Sequence, residues 1–235
     1  MATEARTVIL TGAAGRIGRA ITPMLPTDWD LRRTDLRAED VVTTLDVTDL
    51  DACRSAFAGA DAVVHLAAVP DPEADWDSLL PANIIGAHHV AQAAAECEVR
   101  RLVLASSVQA VAARPAGRQS RATDAPRPMN LYGATKAWAE ALGSWVAATT
   151  AVSVVALRLG YFYETQPGPG TPDYDLSAWL SPRDAADLIR NAVTAEGFDF
   201  FVANGISANR YPTIDLDDTL RTLGYRPVDD AWQSR

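Results

Sequence analysis

The first apolar run of the chain, Thr7–Thr11, leads directly into Gly12, Gly15 and Gly18, and a helical pattern follows at once. Few folds place a strand, a glycine-rich turn and a helix in that order at the start of a chain. Glycines let the turn be tight and let another group approach its backbone closely. The helix behind it offers unpaired N–H groups and the positive end of its dipole, which suits a phosphate or pyrophosphate. The spacing is G-x-x-G-x-x-G, not the G-x-G-x-x-G of the dinucleotide fingerprint, so its position after the first strand carries the inference. Gly12, Gly15, Arg16, Ile17 and Gly18 are the first candidate cofactor-binding residues.

The remainder alternates short β-rich runs with longer helical patterns, the signature of a parallel sheet covered by helices. Strands are expected at Thr7–Thr11, Asp30–Asp35, Val41–Asp46, Ala62–Ala67, Leu102–Ser106, Ser153–Leu159 and Asp199–Ala203. Helices are expected near Gly15–Leu25, Leu50–Phe57, Asp75–Cys97, Tyr132–Thr149, Pro182–Thr194 and Asp217–Leu223, with Ser181 capping the fifth. Pro23 and Pro81 fall inside helical patterns and should end or kink them. The fold expected is α/β: a Rossmann-type, doubly wound, mostly parallel sheet with a small C-terminal substrate-binding portion. At 235 residues one domain, 1–235, is the expectation. Substrate-binding elements are expected mainly in 108–130 and 161–235, which contain the Gly- and Pro-rich stretch Gln166–Pro172 and a loop, Ala112–Met129, with four arginines.

A net charge of −9 disfavours nucleic acid as a partner, because an acidic surface repels phosphate backbones. No apolar run is long enough to span a bilayer and no leader pattern opens the chain, so a cytoplasmic protein without membrane contact is expected. Cys53 and Cys97 read as reduced packing residues, and His65, His88 and His89 show no metal-ligand spacing.

Asp35 lies at the end of the second strand pattern, where an acid can bond adenosine ribose hydroxyls. A carboxylate there repels a 2′-phosphate, so NAD is the expected cofactor; Arg16, Arg32, Arg33 and Arg37 keep NADP open. Asp46 and Val47 close the third strand, and Asp46 either borders the adenine or caps the next helix. Further on, Tyr132 and Lys136 sit one helical turn apart, so the ammonium can lie near both the phenol and a bound ribose. Tyrosine is a poor base at its ordinary pKa near 10. Neighbouring positive charge stabilises phenolate, and Tyr132 then becomes a general base for an alcohol. Ser106 and Ser107, at a strand end between these two motifs, offer a hydroxyl to the same oxygen.

With these strings in order, the chain resembles the extended short-chain dehydrogenase/reductase superfamily, the NAD-dependent epimerase/dehydratase group. The matching strings are Thr11–Gly18, His65–Ala68, Asn83–Gly86, Leu104–Ser107, Tyr132–Lys136 and Leu157–Gly160. The resemblance implies Ser107, Tyr132 and Lys136 as a catalytic triad. It implies Leu66, Ala67, Ala68, Asn83 and Tyr161 as further cofactor contacts, and Val69, Ser107, Val108, Tyr132, Phe162 and Tyr174 around the substrate. Within the superfamily the chain is most similar to the uronate dehydrogenases, notably in Leu10–Arg16, Leu176–Ser181, Gly205–Asn209 and Leu223–Pro227. It departs from them twice: Val108 stands where they carry Asn, and Asp173-Tyr174-Asp175 stands where they carry an Arg suited to a carboxylate. Arg118 and Arg121 are candidates for a different anion site. The resemblance also implies a homodimer. The reaction expected is hydride transfer between NAD and a secondary alcohol, lactol or ketone of a small sugar-like metabolite. An epimerase or dehydratase with transient hydride transfer, and a non-catalytic dinucleotide sensor, are the alternatives.

Overall fold

The structure, a computed structural model, describes residues 5–39, 41–115 and 117–233. Seven strands form one sheet: β1 (Thr7–Thr11), β2 (Asp30–Asp35), β3 (Thr43–Thr44), β4 (Ala62–His65), β5 (Arg101–Ser107), β6 (Ser153–Leu159) and, late in the chain, β9 (Phe200–Gly205). Their order is β3-β2-β1-β4-β5-β6-β9 and every pairing is parallel. A short pair, β7 (Tyr161–Phe162) with β8 (Trp179–Leu180), lies beyond the sheet.

The apolar runs are continuous because the central strands are covered on both faces. Successive residues of β1 separate accordingly. Val8 and Leu10 join Val64, Val103, Val155 and Leu157 on one face, against Ile21 of α1 (Arg16–Ile21) and Leu188 and Ile189 of α7 (Pro182–Thr194). Ile9 joins Val63, Leu102, Leu104 and Val154 on the other. There it meets Phe57 of α2 (Leu50–Phe57), Val90 of α4 (Ala87–Glu96), and Leu142 and Val146 of α5 (Leu131–Thr149). Ser181 caps α7 by accepting from the Asp184 N–H, as its sequence position implies.

Several expectations are corrected. The third strand is only Thr43–Thr44, because Glu39 and Val42 bond each other antiparallel and turn the chain just before it. The long helix expected over Asp75–Cys97 divides into α3 (Trp76–Leu79), a π-helical stretch Leu80–Gly86, and α4. Pro81 has no N–H to donate, which breaks the i→i−4 ladder at this point. α1 stops at Ile21 and a 3₁₀ turn carries Pro23. Two elements in the C-terminal third, α6 (Asp173–Ser177) and the β7–β8 pair, were not expected as regular structure. α8 (Asp217–Leu223) closes on Gly224 in the left-handed region, φ 70°.

Leu102 is fully buried near the start of β5. Leu102→Ala should cost about 2–5 kcal/mol through lost burial and a residual cavity, read as a lowered denaturation midpoint with unchanged m-value.

Candidate functional site

A cleft of about 790 Å³ opens at the carboxyl ends of the strands. It lies where the chain order reverses, with β2 on one side of β1 and β4 on the other, the place where doubly wound sheets take ligands. The glycine turn forms one wall. Gly12 has φ +72°, and a Cβ there would lie 2.5 Å from the Ala67 backbone nitrogen, so the β1 turn and the β4 end can close together only at glycine. Gly18 fits as tightly, since a Cβ on it would lie 2.5 Å from the Gly12 carbonyl. Gly15 caps α1 without a side-chain acceptor for the N–H groups of the first turn. Asp35 is tied to this turn: one carboxylate oxygen accepts from Ala14 N at 3.0 Å and the other from Arg37 N at 3.2 Å.

The opposite wall comes from β5 and α5. Asn130 caps α5 by accepting from Gly133 N at 2.7 Å, and its Nδ2 donates to Gln109 Oε1 at 3.2 Å. Gln109 Nε2 in turn donates to Tyr161 Oη at 3.1 Å. Gly133 allows the close approach, because a Cβ on it would lie 2.5 Å from the Gln109 carbonyl oxygen. The start of α5 is thereby pressed onto the turn that follows Ser107, whose Oγ accepts from Gln109 N at 3.2 Å, and Ser107 and Tyr132 line the same cleft.

Burial raises the Tyr132 phenol above its ordinary value, while the neighbouring Ser107 hydroxyl and the charge of Arg16 act in the opposite direction. Lys136 is almost fully buried and burial depresses it to about 8. Its Nζ donates to Ala105 O at 3.0 Å and sits 5.6 Å from the centre of the Tyr132 ring. His65, behind Lys136, bonds Thr11 Oγ1 at 2.8 Å and is pushed down to about 3, chiefly by burial and then by Lys136, so it is neutral.

A model of the NAD dependent epimerase/dehydratase family matches residues 8–194. The chain belongs to this family. It is 37% identical to the L-arabinose 1-dehydrogenase (NAD(P)(+)) of Haloferax volcanii, over 95% of this chain and 97% of that one. The NAD-dependent glucose-6-phosphate dehydrogenase of the same organism is 36% identical, over 95% and 94%. The crystal structure of uronate dehydrogenase from Agrobacterium tumefaciens superimposes with a TM-score of 0.87 at 28% identity, covering 98% of this chain and 87% of that one. The likeness to uronate dehydrogenases read from the sequence is therefore real, and two dehydrogenases of other sugars share more of this chain's residues.

The cleft is lined on one side by Gly12, Gly15, Arg16, Ile17, Gly18, Asp35, Asp46, Val47, Leu66, Ala67 and Ala68. On the other side stand Val69, Ser107, Val108, Tyr132, Lys136, Tyr161 and Phe162. Two expected residues are not in the lining. Asn83, 4% exposed in the π-helical stretch, spends its amide on the Val69 N–H (2.8 Å), the Val69 carbonyl (3.1 Å) and Thr135 Oγ1 (3.1 Å). It thus shapes the cleft edge from behind. Tyr174 is 60% exposed and packs edge-on against Tyr161, with ring centres 6.1 Å apart. Asp46 is not the helix cap; it accepts from Thr48 N at 2.8 Å, and Asp49 caps α2.

Arg118 pairs with Asp124, whose other oxygen accepts the Arg121 N–H, and neither arginine reaches this cleft. Arg37, Gln109 and Tyr163 also line it. Position was the available signal for them, since each closely follows a marked string, but residue type alone was not enough. Both cysteines are free, and no cluster able to hold a metal ion occurs among the described residues. No helix among them is long and apolar enough to cross a membrane.

Lys136 titrates at about 8 in the folded chain against an ordinary 10.5. Between those values the unfolded chain binds more protons, so this group's contribution to stability improves as pH rises through that window. The difference in Tm, Lys136→Met minus wild type, should therefore fall as pH rises from 8 to 10.5; a flat difference would show that Lys136 titrates normally.

Proposed function

We propose that this chain is an NAD-dependent dehydrogenase of a free, uncharged aldose, acting at the lactol carbon, with Ser107, Tyr132 and Lys136 as its catalytic residues. The observation that carries the reading is the convergence of these three side chains at the end of the cleft opposite the glycine turn and Asp35. The similarity to enzymes named as sugar dehydrogenases supports it.

The residues present fit a dinucleotide. The uncapped first turn of α1 offers N–H donors for a pyrophosphate, Asp35 would take ribose hydroxyls, and Asp46 and Val47 would border the adenine. Leu66, Ala67, Ala68, Tyr161 and Lys136 would hold the nicotinamide riboside end. A carboxylate at position 35 is unfavourable for a 2′-phosphate, which supports NAD as the main cofactor, while Arg16 and Arg37 in the same cleft give NADP a foothold. When bound, NAD supplies a nicotinamide that accepts hydride from the carbon undergoing oxidation.

The protein's own part is proton handling and orientation. Tyr132 Oη takes the proton of the substrate hydroxyl, and Ser107 Oγ holds the same oxygen and steadies the phenolate. Lys136, anchored to Ala105, keeps positive charge beside the forming phenolate. Beyond them the substrate end is walled by Val69, Val108, Tyr161, Phe162 and Tyr163. Asp175 lies just behind and accepts from the Tyr163 hydroxyl at 2.7 Å. Phenols, apolar side chains and a nearby carboxylate favour a neutral polyol over a sugar acid or phosphate. We place substrate binding in 108–130 and 161–235 of a single domain.

Exposed Leu131, Trp138 and Trp145 recur every seven residues along α5, with exposed Trp76 and Ile85 on the preceding helical elements. This apolar stripe supports a homodimer built on α5. The two free thiols fit a reducing compartment, and the cytoplasm is the proposed location.

Wild-type protein with NAD should form NADH with neutral aldoses and form it far more slowly with uronic acids or sugar phosphates; no net NADH with any sugar would sink the reading and favour transient hydride transfer. Tyr132→Phe should lower kcat by about 10²–10⁴-fold with NAD affinity within about twofold, checked by steady-state kinetics and calorimetry. Paired Trp138→Glu and Trp145→Glu substitutions should convert a dimer to a monomer by light scattering.

A further inference from the structure

We propose that Glu140 and Arg158, which lie outside the cleft, are positioning residues that set the Ser107 strand and the 121–124 segment against the helix carrying Tyr132; this rests on the dehydrogenase reading. Tyr132, Lys136 and Glu140 recur every four residues and share one face of α5. Opposite them lie three consecutive residues of β5. Ala105 accepts from Lys136, Ser106 Oγ donates to Glu140 Oε1 at 2.7 Å, and Ser107 lines the cleft together with Tyr132. The helix and the strand that carry the proposed triad are thus joined by the bonds of Lys136 and Glu140, and the Glu140 bond involves no member of that triad.

Glu140 is itself gripped by Arg158 of β6, with Nε to Oε1 and Nη2 to Oε2 both at 2.8 Å. The side chains are 5% and 2% exposed. The rest of the guanidinium donates to the carbonyls of Arg121 (3.2 Å), Ala122 (3.4 Å) and Asp124 (3.0 Å). One buried pair therefore ties β5, β6, α5 and the arginine-bearing loop together. Burying two charges is a weak route to stability, because well-packed apolar residues of similar volume often do as well or better. What an apolar pair cannot reproduce is direction: a fixed orientation of Ser106, and so of Ser107, and a fixed path for residues 121–124. Neither residue lines the cleft, so neither touches substrate or cofactor.

The test compares wild type with Ser106→Ala and with the double variant Glu140→Leu/Arg158→Met, which removes both charges at once and avoids an unpaired buried ion. The expected result is a double variant that melts at or near the wild-type temperature and binds NAD within about twofold. Its kcat on the aldose best used by wild type falls roughly 10- to 100-fold, as for a misplaced catalytic group. Ser106→Ala should show a smaller loss in kcat with the melting temperature unchanged. A double variant with wild-type kcat would overturn the proposal and leave the pair a purely structural element. Hydrogen exchange over residues 118–127 needs no substrate and should accelerate in the double variant. Unchanged exchange there refutes the anchoring even if wild type oxidises no sugar, in which case it is the dehydrogenase reading that has failed separately.

Discussion

The cleft exists because two backbone segments pass at a distance that forbids a side chain. Gly12 sits against the chain just beyond β4: a Cβ on it would stand 2.7 Å from the Leu66 carbonyl carbon and 2.5 Å from the Ala67 nitrogen. That approach brings the β1–α1 turn and the β4 loop together at the reversal of strand order. Every other wall is built outward from this point. Asp35 is held to the same turn through Ala14, and Asn83 reaches from the π-helical stretch to fix Val69 at the far rim. Gly133 repeats the device on the opposite side, where α5 meets the Gln109 carbonyl.

Between these two close approaches the protein concentrates buried polarity. Lys136, Glu140, Arg158, His65, Thr11, Ser106 and Ser107 are all buried, in a layer otherwise made of Val, Leu and Ala. Groups like these are tolerated in a core only when they are paired or neutral. Arg158 and Glu140 satisfy each other, His65 is held neutral, and Lys136 reaches a carbonyl while its affinity for a proton falls. A lysine poised near 8 beside a buried phenol is a costly arrangement for stability alone.

The end of the cleft beyond Tyr132 obeys different rules. Its walls come from the turn after Ser107 and from residues 161–163, of which Tyr161 and Phe162 pair as a short strand with Trp179–Leu180. Tyr161 is fixed by Gln109 and Tyr163 by Asp175. Relatives named for arabinose, glucose 6-phosphate and uronate resemble this chain over nearly its whole length.

The sequence by itself determined the sheet, the glycine turn and the helix of Tyr132 and Lys136, because strand runs, glycine spacing and a Tyr-x-x-x-Lys turn are local patterns with local physical causes. The strands at Thr7–Thr11, Asp30–Asp35 and Ser153–Leu159 stand where the apolar periodicity puts them. Only the tertiary structure decided what depends on partners distant in the chain. It turned Asn83 away from the cleft towards Val69 and Thr135, spent Arg118 on Asp124, and brought Gln109 and Tyr163 into the lining.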